Sequence, residues 1–386
     1  MVPKLEAYKK KACEYAPSKA PVFFNPAMEL NRDLAVLALQ TYQRTIEKEL
    51  SVCEPLAGCG IRGIRFAEEV QGIRKIFLGD LNPKAVELAR LNVERHKLET
   101  RIQVVEEDAN LLLSRHAAPR KRFDYVDVDP FGSPAPYLDS AVRALRDGGL
   151  LALTATDLAP LCGVHPRACI RKYGGKPLRT EYCHELAVRL LIGCLATTAA
   201  KHDIGIRPVF SHSTQYYIRV YALVSHGAKK ADESIREMGF ILHCFKCFHR
   251  ETSEGITSRP KRECPECGYT LSSAGPLWLG KISDVKFCAA IKNEAAERNL
   301  RQKKRILQLL NLIQNEANAP ITYHVTDKIS DKLNLPTPAL TKIITNLEQA
   351  DFQAMPTHFD SKGIKTNAPA ETVKEIVSKI VCFSEN

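Results

Sequence analysis

The sequence lacks the features of secreted and membrane-spanning proteins. Residues 1–20 carry lysines but no apolar core, so they do not form a secretory signal, and Glu6 and Glu14 argue weakly against a transit peptide. The longest uncharged apolar stretch, residues 190–200, is too short to span a bilayer. The sequence also has no internal repeat and no long low-complexity segment. We therefore expect a cytoplasmic protein without membrane contact, and no obligate protein partner is evident.

Length and charge narrow the class further. The chain has 386 residues, which predicts two or three domains, and a hydrophobic content of 45%, which is enough for a sizeable core. Its 55 Lys and Arg exceed its 44 Asp and Glu, giving a formal charge of +11. This excess favours a polyanionic partner such as nucleic acid over a merely basic protein. In a reducing compartment, clustered members of its 13 cysteines are better interpreted as metal ligands than as disulfides.

Strands and helices alternate from about residue 30 to residue 225. Strands are predicted over residues 50–56, 76–79, 102–105, 123–128 and 150–154, and helices over 33–49, 61–70, 83–97, 138–145 and 181–201. Two further strands, 206–210 and 216–224, are joined by a short loop and should form an antiparallel hairpin. The pattern predicts an α/β, Rossmann-like, doubly wound sheet that is mostly parallel and has an antiparallel last strand.

The composition changes near Gly227 and again beyond Trp278. A charged helix is predicted over residues 228–237, a cysteine-rich segment over 242–275, and further helices after it. Segments 326–333 and 337–349 have the pattern of a helix-turn-helix, and 354–366 that of a β wing. We therefore expect an N-terminal α/β domain over residues 1–227, a cysteine-rich module over 228–280 and a helical, winged-helix-like domain over 281–386.

A glycine-rich turn follows the first predicted strand. Gly58, Gly60 and Gly63 form a G-x-G-x-x-G pattern that opens a helix, so the backbone can approach an anionic ligand closely. Asp80, at the end of the second strand, suits a ribose diol. Both features are typical of dinucleotide-binding proteins as well as of S-adenosylmethionine sites.

The ends of the third and fourth strands favour S-adenosylmethionine over a nicotinamide cofactor. Asp108, followed by Ala109, can accept a hydrogen bond from an adenine amino group, and Asp129 stands in an acid-Pro corner that a nicotinamide enzyme does not need. The carboxyl ends of the four strands meet at one crevice. Taken singly, Asp80 and Asp108 could instead cap the helices that follow them.

The corner Asp129-Pro130-Phe131 suits methyl transfer to an exocyclic amine. The amine of guanine is a poor nucleophile because its lone pair is delocalised into the ring. Asp129 can accept a hydrogen bond from this amine and then its proton, and the carbonyl of Pro130 can accept a second hydrogen bond. Phe131 can stack on the base and position it. The alternative is that Asp129 is only a turn residue before Pro130.

Specific motifs are distributed over most of the chain. They are Val22-Phe23-Phe24-Asn25-Pro26, Asn31-Arg32-Asp33, Gly60-Ile61-Arg62-Gly63-Ile64-Arg65-Phe66, Asp127-Val128-Asp129-Pro130-Phe131-Gly132, Thr154-Ala155-Thr156-Asp157, Ala159-Pro160-Leu161-Cys162-Gly163, Gly275-Pro276-Leu277-Trp278-Leu279-Gly280 and Thr357-His358-Phe359. Together they resemble the tRNA (guanine-26 N2)-dimethyltransferase family. The resemblance implies that two methyl groups pass from S-adenosylmethionine to the exocyclic N2 amine of guanine 26 in tRNA. Cys59, in the glycine-rich turn, departs from the family pattern, which often has a small Ser, Ala or Thr-like residue there. Because cysteine is also small, the resemblance is little affected.

The resemblance also implies roles for individual residues. Asp129 would be the catalytic acceptor, with Phe23 and Phe131 around the guanine. Arg32 and Arg62 would lie near the methionyl end of the cofactor, while Asp80 would bind the ribose. The complete set implied at the cofactor is Arg32, Gly58, Gly60, Arg62, Asp80, Asp108 and Ala109.

Two CxxC pairs stand sixteen residues apart, Cys244/Cys247 and Cys264/Cys267. Each pair can present two thiolates to one ion, so the four cysteines predict a tetrahedral zinc site. A site with four protein ligands has no open position and is structural. His243 and His249 are expected to be bystanders.

The C-terminal part offers candidates for RNA contact. Lys303, Lys304 and Arg305 begin a predicted helix near Arg298 and Arg301, and they could contact phosphates or simply form a solvated helix face. In the predicted wing, His358, Lys362 and Lys365 are candidates for contact with the RNA backbone. The predicted recognition helix has a single basic residue, Lys342, which argues against reading DNA bases.

Three rival functions stay open at this point. An amino methyltransferase acting on adenine usually has a second Pro where Phe131 stands. A non-catalytic nucleic-acid-binding protein with a relic fold would not need the intact set of Gly58, Asp80, Asp108 and Asp129. A covalent pyrimidine carbon-5 methyltransferase would use Cys162, which lacks the Pro-Cys or acid-Cys setting of such enzymes.

Overall fold

The computed structural model of the protein describes residues 22, 24–214 and 216–382. Its strands are β1 (Leu50–Glu54), β2 (Ile73–Asp80), β3 (Ile102–Glu106), β4 (Phe123–Val128), β5 (Leu145–Ala155), β6 (Ile204–Thr214), β7 (Tyr217–His226), β8 (Met238–His243), β9 (Arg250–Glu254), β10 (Ser272–Trp278), β11 (His324–Val325), β12 (Ala354–Pro356) and β13 (Gly363–Thr366). Its helices are α1 (Glu29–Ile46), α2 (Ile61–Glu69), α3 (Pro83–Arg95), α4 (Ala109–Arg115), α5 (Leu138–Arg143), α6 (Leu158–Leu161), α7 (Pro166–Tyr173), α8 (Cys183–Ala200), α9 (Ala228–Arg236), α10 (Val285–Glu297), α11 (Lys303–Glu316), α12 (Thr326–Leu333), α13 (Leu340–Gln349) and α14 (Ala370–Cys382).

Seven strands form the central sheet in the order β3-β2-β1-β4-β5-β7-β6. The pairs β1–β2, β2–β3 and β1–β4 are parallel, whereas β6 and β7 form an antiparallel hairpin. The chain runs outward from β1 to β3 and then returns to place β4 on the other side of β1. This reversal between β1 and β4 is the switch point at which doubly wound sheets bind ligands. The predicted α/β class and the antiparallel last strand are confirmed.

The burial of the sheet explains its sequence pattern. Every residue of β1 and of β4 is buried, as expected for parallel strands covered on both faces. The strand β5 begins at Leu145, five residues before the predicted start, and the predicted helix 138–145 ends at Arg143. The reason is Arg146, whose guanidinium donates to Asp124 of β4 at 2.9 Å and so draws this polar stretch into the sheet.

The long helix α8 has the length and apolar composition of a membrane span, with a mean hydropathy of 1.3. It is 67% buried inside the fold, and it carries the buried ion pair Glu185–Arg189. Both properties are typical of a core helix, and a single such helix among the described residues is weak evidence for a span.

Two smaller sheets follow the central one. The first has the strand order β10-β8-β9. The pair Cys244/Cys247 lies in the loop between β8 and β9, and the pair Cys264/Cys267 lies in the segment between β9 and β10. The second, β11-β13-β12, packs with α12, α13 and α14 around Ile343, Ile364 and Val377. The predicted helix-turn-helix with a β wing is therefore present, although α13 begins three residues later than predicted.

The described chain divides into two compact units that are discontinuous in sequence. The first comprises the chain up to Asp129, Ser140–Leu151 and Asn293–Ile306, and the second comprises Pro130–Asp139, Ala152–Lys292 and the residues from Leu307 onward. Within the first unit, Arg44 pairs with Glu294 at 2.7 Å, and Arg298 donates to the carbonyl of Glu69 at 3.0 Å. The division into residues 1–227, 228–280 and 281–386 stays a prediction.

Candidate methyltransferase site

The glycine turn connects β1 to α2 at the switch point of the sheet. Gly60 precedes the helix with a φ of +76°, a conformation that favours glycine. At Gly63, an added Cβ would lie 2.4 Å from Cδ2 of Leu78, so a larger residue would force the Leu78 side chain to move. The turn therefore presents bare backbone and the start of a helix beside the end of β1.

Asp80, the last residue of β2, braces this turn. Its Oδ2 accepts a hydrogen bond from the backbone N–H of Gly58 at 2.8 Å, and its Oδ1 accepts one from Asn82 at 2.9 Å. The cap of α3 is Asn82, whose side chain accepts from Lys84 at 3.1 Å. The alternative that Asp80 itself caps this helix is therefore wrong.

Asp108, after β3, does cap a helix. Its Oδ1 accepts from the backbone N–H groups of Asn110 at 2.9 Å and Leu111 at 3.1 Å, at the start of α4. The residue is exposed, and its Oδ2 accepts no hydrogen bond from the described residues. Capping thus uses one oxygen and leaves the other for a ligand, while Ala109 beside it is buried.

The guanidinium of Arg62 lies among three carboxylates near the ends of β1 and β4. Its Nη1 donates to Asp127 at 2.6 Å, its Nη2 donates to Oδ2 of Asp129, and its Nε lies 3.6 Å from Glu54. Asn31 also accepts from Nη2, at 3.1 Å. The Arg62 side chain is only 5% exposed, and its two terminal nitrogens bind Asp127, Asp129 and Asn31, so it fixes the direction of Asp129.

Sequence reasoning missed the roles of Glu54, Asp127 and Asn31 in this cluster. A signal was present, because Glu54 and Asp127 lie inside two predicted strands, where a buried charge requires a partner. Burial raises the pKa of Glu54 to about 8, against the opposing effect of Arg62. A neutral Glu54 would reduce the negative charge that the single guanidinium must balance.

Arg32 is the neighbouring cation and has no carboxylate within ion-pair distance in the described chain. Its Nη1 donates to the carbonyl of Asn25 at 3.1 Å, and its guanidinium lies 5.0 Å from the ring centroid of Phe24. Burial, together with Arg62 and Arg65, lowers its pKa to about 10. Such a crowded cation is suited to an incoming anion.

The segment around Asp129 contains one strongly exposed aromatic side chain, Phe131. The Asp129 side chain is 19% exposed, and its Oδ1 makes no hydrogen bond with the described residues. Phe131 is 74% exposed, while Phe23 lies outside the described residues. Gly132, with a φ of +86°, donates to Oγ1 of Thr156 at 2.8 Å and accepts from the Thr156 N–H at 2.9 Å. Thr156 therefore anchors the loop that carries Phe131.

The four cysteines of the CxxC pairs converge. Their Sγ atoms all lie within 4.8 Å of one another, and the Cys244–Cys267 and Cys247–Cys264 sulfurs are 3.5 Å apart. Zinc–sulfur bonds of about 2.3 Å in a tetrahedron require sulfurs roughly 3.8 Å apart. The donor set therefore fits a zinc ion.

The backbone of the two CxxC turns follows one geometry. The N–H groups of Phe248 and Gly268 donate to the backbone carbonyls of Cys244 and Cys264, the first cysteine of each pair, both at 2.9 Å. Phe248 and Gly268 have nearly equal φ angles of +67° and +66°. Two turns built alike and facing one another are typical of a structural zinc site. His243, which is buried with a pKa lowered to about 3 by desolvation, is a core residue and not part of this set.

The structure corrects the predicted RNA contacts of the wing. Lys365 is buried and donates to Glu185 at 2.7 Å, and His358 is buried against Glu316, so neither can reach an RNA backbone. Lys362 is exposed but pairs with Asp327. Of the other basic candidates, Arg298 and Arg301 pair with Glu69 and Glu29.

Cys162 does not have the environment of a nucleophile. It is buried, its Sγ lies 3.7 Å from the carbonyl of Cys183, and this neighbour and burial both raise the pKa of its thiol. A reactive thiolate requires the opposite shift. The geometry therefore disfavours the covalent carbon-5 alternative.

The switch-point turn, the acids after β2, β3 and β4, and the acid-Pro-Phe corner define a Rossmann-like methyltransferase. The family model for N2,N2-dimethylguanosine tRNA methyltransferases matches residues 3–378. The tRNA (guanine(26)-N(2))-dimethyltransferase of Methanobrevibacter smithii is 42% identical over 94% of this chain and 92% of its own length. The tRNA (guanine(26)-N(2)/guanine(27)-N(2))-dimethyltransferase of Aquifex aeolicus is 35% identical over 94% and 91%.

A solved structure, Trm1 from Pyrococcus horikoshii in complex with S-adenosyl-L-methionine, superposes with a TM-score of 0.84. Its sequence is 36% identical, and the match covers 94% of this chain and 96% of that one. The chain belongs to the N2,N2-dimethylguanosine tRNA methyltransferase family.

Proposed function

We propose that this enzyme transfers two methyl groups from S-adenosylmethionine to the exocyclic N2 amine of guanine 26 in tRNA. The observation that carries the proposal is the state of Asp129. One carboxylate oxygen is held by the buried Arg62, and the other makes no hydrogen bond with the described chain. Asp129 follows the end of β4 and stands two residues before the exposed Phe131. A carboxylate oriented in this way can receive an amine.

The cofactor would lie across the carboxyl ends of β1 to β3. The glycine turn, with Gly58 and Gly60, would contact it through backbone, and Asp80 at the edge of this turn would bind the ribose hydroxyls. The free Oδ2 of Asp108 would accept from the adenine amine beside Ala109. When bound, S-adenosylmethionine supplies an electrophilic methyl group on a sulfonium.

The two arginines have different tasks in this proposal. Arg32, whose charge has no carboxylate partner in the described chain, suits the carboxylate of the methionyl group. Arg62 also lies near that end, but its hydrogen bonds are already made with Asp127, Asp129 and Asn31. Its task is to hold Asp129 in one orientation.

Asp129 would then act as hydrogen-bond and proton acceptor. As the amine nitrogen bonds to the methyl carbon and the bond between that carbon and the sulfonium sulfur breaks, the N–H would become acidic, and Oδ1 of Asp129 would accept the proton. Before the first transfer the guanine amine has two N–H groups, and the carbonyl of Pro130 would accept a hydrogen bond from the second one. Phe131, anchored through Gly132 and Thr156, would stack on the guanine together with Phe23, once the base has left its stack in the tRNA.

Zinc has a structural part in this proposal. Cys244, Cys247, Cys264 and Cys267 would hold the ion with all four positions filled, and no step of the methyl transfer passes through it. We also propose a cytoplasmic location without membrane contact and without an obligate protein partner. The main partner would be tRNA, which agrees with the positive charge of the chain and with the proposed substrate.

The test is a methylation assay with an unmodified tRNA transcript and S-adenosylmethionine, followed by digestion and mass spectrometry of the nucleosides. We expect dimethylguanosine from the wild type. Asp129→Asn keeps the shape but removes the proton acceptor, and it should lower the rate by about 10²- to 10⁴-fold while cofactor binding persists. Asp203→Asn is the control, because Asp203 is exposed and has a φ of +54° that asparagine tolerates.

Other products would redirect the proposal. Methyladenosine would show that the fold acts on another amine, and dimethylguanosine at full rate from Asp129→Asn would refute the role of this carboxylate. Tight tRNA binding without any product would instead favour a non-catalytic binding protein.

A further inference from the structure

The segment between Asp157 and Glu181 contains no acidic residue. It holds five cations, Arg167, Arg171, Lys172, Lys176 and Arg179. The segment includes α6 and α7, which sequence analysis did not predict because Pro160, Gly163 and Pro166 interrupt the apolar pattern. The absence of acids was the available signal.

The helix α7 presents much of this charge to solvent. Arg167, Ile170 and Arg171 occupy positions i, i+3 and i+4, so they share one face of the helix, and all three are exposed. Neither arginine has a carboxylate within ion-pair distance in the described chain. Lys172 is different, because its Nζ donates to Asp157 at 2.9 Å.

The unpaired charges of Arg167 and Arg171 contrast with four of the basic residues in the C-terminal part. There, Arg298, Arg301 and Lys362 are used in ion pairs, and Lys365 is buried. A cation that already neutralises a carboxylate gains little from a phosphate, whereas an exposed and unpaired arginine can bind one with two parallel hydrogen bonds.

Hydrogen bonds connect α7 to the loop of Phe131. The hydroxyl of Tyr173, the last residue of α7, donates to Asp157 at 2.6 Å. Asp157 follows Thr156, which exchanges two hydrogen bonds with Gly132, the residue after Phe131. The position of the helix is therefore fixed relative to the residue that would stack on the target base.

Apolar side chains lie among the cations. Val164 and Ile170 are 49% and 47% exposed. An exposed face of arginines and aliphatic groups complements a sugar–phosphate chain, in which charged phosphates alternate with the less polar ribose rings.

We propose that the exposed face of α7 binds the tRNA backbone next to the target nucleotide, with Arg167 and Arg171 on phosphates. The inference rests on the proposed function for the identity of the RNA. Contacts of this kind would hold the strand beside the nucleotide while its base is extruded from the stack.

The test compares Arg167→Ala/Arg171→Ala with Arg90→Ala/Arg95→Ala. Arg90 and Arg95 form a matched control pair on α3, because both are exposed and neither has an ion pair in the described chain. The measurement is tRNA affinity over a series of salt concentrations. Each lost phosphate contact lowers the slope of log affinity against log salt by roughly 0.7 for single strands and 0.9 for duplex.

The α7 double variant should therefore lose roughly 1.4 to 1.8 of slope, which corresponds to about 25- to 60-fold weaker binding at about 0.1 M salt. Its KM for tRNA should rise while kcat at saturating tRNA and the affinity for S-adenosylmethionine stay unchanged. Arg167→Lys/Arg171→Lys keeps both charges and should retain most of the slope.

An unchanged slope in the α7 variant, or an equal loss in the α3 control, would overturn the inference. The outcome is separable from that of the proposed function. If the wild type binds tRNA but forms no dimethylguanosine, the proposed function fails, whereas the slopes of the variants still decide whether α7 contacts the RNA backbone.

Discussion

Lys365→Met should destabilise the protein strongly although it lies far in sequence from any proposed catalytic residue. Lys365 of β13 donates to Oε2 of Glu185 on α8 at 2.7 Å, while Arg189 donates to Oε1 at 2.8 Å. The Glu185 side chain is completely buried. Methionine preserves the aliphatic stem of the lysine but leaves this carboxylate with one cation.

The magnitude follows from the pKa of Glu185. Lys365 and Arg189 outweigh the effect of burial and lower this pKa from 4.5 to about 2. A lowering of this size corresponds to about 3 kcal/mol of preference for the charged carboxylate in the folded protein. Removing one partner of a buried ion pair costs about 3–5 kcal/mol. We expect a loss of about 3 kcal/mol in the free energy of unfolding near neutral pH.

The assay can use the single tryptophan of the chain. The carbonyl of Trp278 accepts from Arg189 at 3.1 Å, so its fluorescence during urea unfolding reports on this network. Lys362→Met is the control, since Lys362 is a wing lysine 56% exposed, and its solvent-screened pair with Asp327 should contribute little to stability.

The effect should also depend on pH. A depressed carboxylate pKa stabilises the fold above the unfolded value of 4.5, and this contribution is lost as the pH falls towards about 2. The gap between wild type and Lys365→Met should therefore narrow over this window. Equal unfolding curves for the two proteins at pH 7, or an equally large loss for Lys362→Met, would refute the reasoning.

Two further predictions concern the metal site and the carboxylate cluster. Elemental analysis should find one zinc per chain. Cys264→Ser should lose the zinc, speed hydrogen exchange over residues 240–275 and weaken tRNA binding, whereas Cys382→Ser, at an exposed cysteine, should have none of these three effects. A metal-free wild type with normal protection would exclude the zinc. Glu54→Gln should stabilise the protein increasingly above pH 4.5, because the unfolded wild type ionises there while the folded carboxyl keeps its proton up to about pH 8. The gain in thermal or urea unfolding should grow by about 1.4 kcal/mol per pH unit, and a pH-independent difference would contradict a raised pKa for Glu54.

Much of the fold could be predicted because its information is local. The apolar strands with acids at their ends, and the glycines between β1 and α2, specify the switch point without knowledge of long-range contacts. The two CxxC turns are equally local, since their spacing alone indicates a common ion.

Charged residues with distant partners could not be interpreted from sequence. A lysine in a predicted wing is expected to face solvent. Lys365 is instead buried against Glu185, which lies 180 positions earlier in the chain. Asp108 caps α4 with one oxygen, so the capping interpretation of its sequence position is confirmed, while its contact with an adenine stays a prediction. The strands β12 and β13 are too short for an alternating pattern to show which side chains point inward.

The late return of residues 293–306 to the first compact unit has a consequence for synthesis of the protein. The guanidinium of Arg298 and the carbonyl of Glu69 that it binds are separated by 229 positions, and Glu294 completes the ion pair of Arg44. A ribosome has therefore released the glycine turn, Asp129 and both CxxC turns before these contacts can form. Truncated chains that end before residue 293 would carry the proposed catalytic groups on an incomplete unit, so the finished enzyme is distinguished from its fragments at a late stage of translation.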